Sequence, residues 1–386
     1  MAVTGAPPLS RRTLLRGAAA GCALALTGCV SRPAASLPAR PPGLRLLGET
    51  TLPHAMDFGG TTVGGLSAID HDPATRTWVA LSDDRSELQP ARFYNLDVDV
   101  SGSGIRVQVR GVTTLRQAGG LPFPKRQAGG EVVDPEGLRL LPGGRGLLWC
   151  SEGDYPAHQS PTLREARLDG AHLRDFEVPA HLQFAPRPGS GPRANQTFEG
   201  LALSPDARSA WVAMESALHQ DGPEPGVGRP GGPCRIIAFD VASGRAVRQV
   251  AYRPDAVPQP PVLPGGYVDN GISEILMLDA TRMLVLERAY SMGVGNSLRL
   301  YEIDTRTGSD TLQLQRLEAG RYTPVATKRL VADFAHLGLS RLDNTEGMCW
   351  GPTLGNGRRT LVVVSDNNFS ARQVTQFAAF EYLEPT

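Results

Sequence analysis

The sequence has 386 residues, 41% of them hydrophobic, with 39 lysines and arginines against 39 aspartates and glutamates. That is enough apolar material for a large core and excludes a disordered chain, and the lack of a basic excess argues against nucleic acid as a partner. The 44 glycines and 32 prolines disfavour a helical protein and suit many short strands joined by turns.

The chain opens on Ser10-Arg11-Arg12-Thr13-Leu14-Leu15-Arg16, a twin-arginine export signal of the Tat type, followed by the apolar run Ala18–Leu26. That run is too short to span a membrane as a mature helix. Leu26-Thr27-Gly28-Cys29 resembles a bacterial lipobox. The expectation is a signal peptide over residues 1–28 and a lipid on Cys29 that anchors the mature protein to the membrane. The location expected is the periplasmic side of a bacterial cell envelope. Residues 1–28 hold Arg11, Arg12 and Arg16 and no acid, which leaves 36 basic against 39 acidic residues in the mature chain. Residues 29–42, rich in Pro, Ala, Ser and Arg, read as a tether.

From residue 43 onward one unit recurs five times: an apolar strand, a turn, and a second apolar strand ending in an acid. The units begin at Leu66, Leu138, Leu201, Leu276 and Met348, at spacings of 72, 63, 75 and 72 residues. Asp72-Pro73, Pro142-Gly143-Gly144, Ser204-Pro205-Asp206 and Pro352 supply the turn chemistry. More polar hairpins follow several units: Arg92–Val100 with Gly104–Val109, Arg235–Val241 with Arg245–Tyr252, and Leu298–Ile303 with Thr311–Leu314. Two buried inner strands and two alternating outer strands make a four-stranded blade, and a regular array of blades is an all-β propeller. The last unit has only one outer strand, Gln376–Leu383, so Leu44–Thr51 is expected to complete it and close the ring. Five blades are counted, with room for a sixth in Gly111–Val133 or Leu317–Leu342. A β-sandwich is the alternative, but it would not repeat one strand pair at this period.

The segments Gly64–Arg85, Asp134–Asp154, Asn195–Asp206 and Asp343–Phe369 together resemble the phytase-like, esterase-like propeller family of bacterial exported proteins, over nearly all of residues 43–386. The resemblance implies a propeller and suggests hydrolysis of phosphoesters or carboxylic esters. A distant kinship with alkaline β-propeller phytases further suggests calcium.

Glu136, Glu199, Glu274 and Glu346 each stand just before an inner strand, so a ring should direct all four to one central mouth. The second strands end in Asp83-Asp84, Glu152 with Asp154, Glu215, Glu287 and Asp366-Asn367-Asn368. Like carboxylates brought together resist ionisation, and a cation relieves the repulsion. Hard oxygen donors at this density suit Ca²⁺ or Mg²⁺ rather than zinc. The candidate metal ligands are therefore Glu136, Glu199, Glu274, Glu346, Asp83, Glu152 and Asp366. Arg85 and Arg288, with Asn367 and Asn368, are candidates for holding a small anionic or ester substrate. Repeat acids of this kind also brace blades by pairing with amides or arginines.

Other chemistries lack their motifs. No Gly-x-Ser-x-Gly, His-Glu-x-x-His or Arg-His-Gly occurs, and the seven histidines are scattered. Gly226–Gly231 has the spacing of a dinucleotide loop but lies in a Pro/Gly-rich stretch with no following helix. Of the cysteines left after Cys22 and Cys29, Cys150 and Cys349 sit in apolar runs. Either all three of Cys150, Cys234 and Cys349 are buried thiols, or one disulfide leaves one thiol over. Two functions remain: a metal-assisted ester hydrolase, with no catalytic residue assigned, and a non-catalytic binding propeller at the envelope.

Overall fold

The computed structural model describes residues 43–184 and 189–384. The export-signal, Cys29 and tether readings lie outside them. The described residues form five four-stranded antiparallel sheets and a small two-stranded one, with no α-helix among them.

The first blade is Leu66–Asp72, Thr77–Ser82, Arg92–Ser101 and Gly104–Thr114, and the second is Pro135–Leu141, Gly146–Ser151, Thr162–Ala166 and His172–Asp175. The third comprises Phe198–Leu203, Ser209–Met214, Cys234–Asp240 and Arg245–Tyr252. The fourth comprises Val268–Met277, Arg282–Ser291, Gly295–Asp304 and Lys328–Asp333. The fifth is built from Asn344–Trp350, Thr360–Asp366 and Gln376–Leu383, and Gly43–Thr51 pairs with the last of these, Gly43 opposite Leu383. Each inner strand touches the inner strand of the next blade, and the fifth touches the first. The ring has five blades. Residues 111–114 continue an outer strand of the first blade, and the outermost strand of the fourth is Lys328–Asp333 rather than residues 311–314.

Five apolar clusters fill the five seams, one between each pair of neighbouring blades. Alternation along each strand presents one set of side chains to one seam and the next set to the other. Cys150, Cys234 and Cys349 are free thiols buried in these seams or beside them, and burial pushes all three thiols up.

The axis is closed by an ion pair. Arg139 Nη2 lies 2.8 Å from Glu274 Oε2 and also donates to the Ile275 and Met348 carbonyls. Its Nη1 donates to the carbonyls of Ile69 and Leu138, while Glu274 Oε1 accepts from Leu201 N at 3.0 Å. Two side chains thereby touch all five blades. The strands converge so tightly here that a Cβ on Gly200 would lie 2.7 Å from Ile275 N, which only glycine avoids.

Candidate functional site

The position of the site follows from a slip in register. At the same end of every inner strand, one extra residue bulges against the second strand: Ser67, Glu136, Glu199, Ser273 and Glu346. Bulges of this kind re-aim a side chain. Glu136, Glu199 and Glu346 line one cavity of about 820 Å³. Ser67 and Ser273 instead bond the backbone of the following blade, at Pro135 O and Thr345 O. On the second strands, the residue after each bulge partner is Asp83, Glu152, Glu215, Arg288 or Asp366. Three blades therefore supply a pair of acids, the first supplies one, and the fourth supplies an arginine.

The same register corrects one expected member of the cluster. Glu274 does not join Glu136, Glu199 and Glu346. In the fourth unit Ser273 takes the glutamate's place, and Glu274 takes the place held elsewhere by Ala68, Gly137, Gly200 and Gly347. It points to the axis and to Arg139. Glu287 likewise faces away, accepting from Tyr252 Oη at 2.5 Å and from Lys328 Nζ at 2.7 Å. Asn367 is buried, and its Oδ1 accepts from Gly65 N and Phe369 N, both at 3.0 Å. It clamps the fifth blade to the first, while Asn368 lines the cavity. Gly65 must be glycine: its φ is +60°, and a Cβ would meet Asp83 Oδ1 at 2.0 Å.

The acids gather more closely than repetition alone requires. Ligand oxygens of Asp134, Glu136 and Glu152 lie within 4.8 Å of one another, and so do those of Glu152, Glu199 and Glu215. Glu152 thus belongs to two potential ligand sets and also accepts a hydrogen bond from Thr197 N. Asn344 Nδ2 bridges Glu346 Oε1 at 2.9 Å and Asp366 Oδ2 at 3.1 Å.

Two arginines face this charge. Arg85 Nη2 is 2.6 Å from Asp134 and bonds Asn195 Oδ1 as well. Arg288 Nη2 is 3.1 Å from Glu215 and 3.5 Å from Glu346, and its buried Nε has no partner. Burial works against the Arg288 charge, but Glu346, Glu215 and the other acids around it outweigh that penalty and hold the guanidinium firmly protonated.

Desolvation raises the carboxyls throughout. Burial lifts Glu346 to about 8 and Glu215 to about 7 against the opposing pull of Arg288. Burial lifts Asp134 and Asp366 to about 6. Asp83, Glu136, Glu152 and Glu199 are pushed well above the carboxylate range by burial and then by the acids facing them. All the donors are carboxylate oxygens, a set that fits a hard divalent cation. Asp134 and Asp269 were missed by the sequence reading. Asp134 stands two residues before Glu136, in plain view but outside the repeat, and Asp269 belongs to an extension found only in the fourth blade.

A family model described as "Phytase-like: Esterase-like activity of phytase" matches residues 61–369. No curated protein matches the chain in sequence. Among solved structures, the chain is similar to the periplasmic gluconolactonase PpgL of Pseudomonas aeruginosa, at 15% identity and a TM-score of 0.37, covering 84% of this chain and 86% of that one. It is similar to the GH62 α-L-arabinofuranosidase catalytic domain of Coprinopsis cinerea, at 9% identity and a TM-score of 0.40, covering 90% and 98%. It also matches hydrazine synthase of Kuenenia stuttgartiensis, at 14% identity and a TM-score of 0.35, covering 84% of this chain and 66% of that one. Likenesses this slight bear on neither reaction nor ligand.

Proposed function

Since the chain belongs to the phytase-like family described by esterase-like activity, we propose that it is an ester hydrolase whose reaction takes place at the carboxylate-lined mouth of the propeller. The observation that carries this reading is the convergence of bulge and strand-end acids around Arg288 in one cavity of about 820 Å³. The bond class is a phosphoester or a related ester. Asp134, Glu136, Glu152, Glu199 and Glu215 would hold a divalent cation, with calcium the best match to an all-oxygen donor set. Such an ion supplies charge neutralisation and Lewis acidity.

The chain's own residues divide the remaining work. Arg85 and Arg288 bind and orient the anionic oxygens of the ester. Glu346, which is outside that ligand set and is lifted to about 8, exchanges a proton near neutral pH. It takes the proton of an attacking water as the water's oxygen bonds the phosphorus or acyl carbon. The ester bond to the leaving oxygen breaks, and that oxygen regains a proton.

A panel of phosphoesters and carboxylic esters, assayed on the full chain carrying Cys29→Ser with calcium and with chelator, tests this. Hydrolysis that chelator abolishes is expected. No turnover on any ester, with calcium still raising the melting temperature, would leave a non-catalytic binding propeller instead.

The sequence signals support a lipid-anchored protein on the periplasmic side of the envelope. Replacing Arg11 and Arg12 with lysine should block export, and Cys29→Ser should release soluble protein. Unchanged fractionation of both variants would overturn that placement.

A further inference from the structure

One wall of the mouth has no counterpart in the other blades. The two central strands of the fourth blade run ten residues each, against six or seven elsewhere. Their extra rungs, Val268 opposite Ser291 and Asp269 opposite Tyr290, continue past the bulge. Asp269 fixes this extension: Oδ2 accepts from Tyr267 Oη at 2.7 Å and Oδ1 from Tyr290 N at 3.0 Å. The two tyrosine rings stand 6.3 Å apart. Backbone bonds from Met292 N to Tyr267 O and from Val262 N to Met292 O tie the preceding loop to the strand turn.

The ridge is apolar where it leaves the cavity. Val262 is 65% exposed, Leu263 68%, Tyr267 54%, and Met292 and Val294 44% each. These are five of the twelve exposed large hydrophobics among the described residues. Tyr267, Tyr290 and Val294 line the same cavity as Glu215, Arg288 and Glu346. A cluster of exposed apolar side chains marks a binding surface, and this one meets the cavity at Tyr267, Tyr290 and Val294. A molecule whose polar group sits between Arg288 and the acids has the ridge beside it.

We propose that the ester taken at this mouth is amphipathic, with its ester group among the arginines and acids and an alkyl or aryl group laid along the ridge from Tyr290 to Leu263. This rests on the hydrolase reading above and adds the substrate class to it. The ridge residues set specificity and touch no reacting atom.

Alkylphosphonates, which mimic an ester's tetrahedral anion and cannot be hydrolysed, separate the two ideas. Their binding to the Cys29→Ser full chain in calcium can be followed by calorimetry from ethyl to octyl. Affinity should rise about fourfold per methylene covered. Val262→Ser with Leu263→Ser should compress the octyl-to-ethyl ratio at least tenfold at an unchanged melting temperature. A ratio near one in the wild type, no phosphonate binding, or a slope the double variant leaves intact would each overturn the proposal. So would binding to phosphatidylcholine or anionic vesicles that the double variant abolishes. The ester panel reports independently whether hydrolysis occurs, so turnover of short esters with a flat phosphonate series would sink the ridge and leave the hydrolase standing.

Discussion

Glu199 and Glu274 differ by one step of register, and that step separates a mouth residue from an axial one. Glu199→Gln or Glu136→Gln keeps size and removes charge from the acid cluster. Both should leave the metal-free protein as stable as wild type or more so, because repulsion is relieved, and both should shrink the rise in melting temperature with calcium. Ligand at a hundredfold excess over its dissociation constant stabilises by about 2.7 kcal/mol, and most of that should be lost. Glu274→Gln should behave in the opposite way. It removes the ion-pair partner of the buried Arg139, at a cost of about 3–5 kcal/mol, with the calcium response intact. Melting curves of the three variants in calcium and in chelator check all of this; a calcium response lost in Glu274→Gln would place that side chain back in the mouth.

The repeated glutamates were legible in the sequence because ring symmetry turns equal positions into neighbours. The exception was also written there. Glu136, Glu199 and Glu346 are each followed by glycine, whereas Glu274 is preceded by serine and followed by Ile275. Aligning the units on Leu276 hid a one-residue offset, and on a strand one residue reverses the facing side. Asn367 was misread for a different reason: a polar turn residue looks the same in sequence whether its amide clamps a backbone or faces a ligand.

Among the elements, the strand Gly43–Thr51 carries the ring closure. Besides the backbone ladder, Arg45 Nε bonds Glu381 Oε2 at 2.6 Å and Gln376 Nε2 bonds Glu49 Oε2 at 2.7 Å. Removing residues 43–52 strips one edge from the fifth blade and uncovers the seam with the first, where Leu47 packs. The truncated protein should melt several degrees lower in a single transition, because one open seam exposes both neighbouring blades. Calorimetry showing an unchanged main transition, with only a minor early one, would mean that the strand merely frays. This strand was readable because it alternates and because the last unit lacked a partner. Lys328–Asp333 was not, since it is short, charged and separated from its neighbour by the excursion 305–327. The ridge was equally hidden, because an extension in one blade leaves no mark on a repeat.

At the scale of the whole molecule, the mouth makes stability depend on pH. Glu346 is lifted to about 8, Glu215 to about 7, and Asp134 and Asp366 to about 6, all above the values of an unfolded chain. The folded protein holds these protons more tightly than the unfolded one. Their contribution is fully present below the ordinary carboxylate range and is lost as pH climbs through about 6 to about 8. In chelator, the melting temperature should therefore fall between about pH 5 and about pH 9. Calcium, which holds the ionised acids, should flatten or reverse that slope. A melting temperature that climbs with pH in chelator would show that the acids are already charged and braced.

The pairing of Gly43 with Leu383 also bears on how the protein is made. Synthesis runs in one direction, and the strand translated first is among the last to find its place. Until Gln376–Leu383 has left the ribosome, the opening strand has no ladder to join, and the first blade faces solvent where the fifth should be. Four finished blades are an open arc with two bare flanks, so a premature stop anywhere before residue 376 yields a chain with nowhere to hide its apolar seams rather than a smaller propeller.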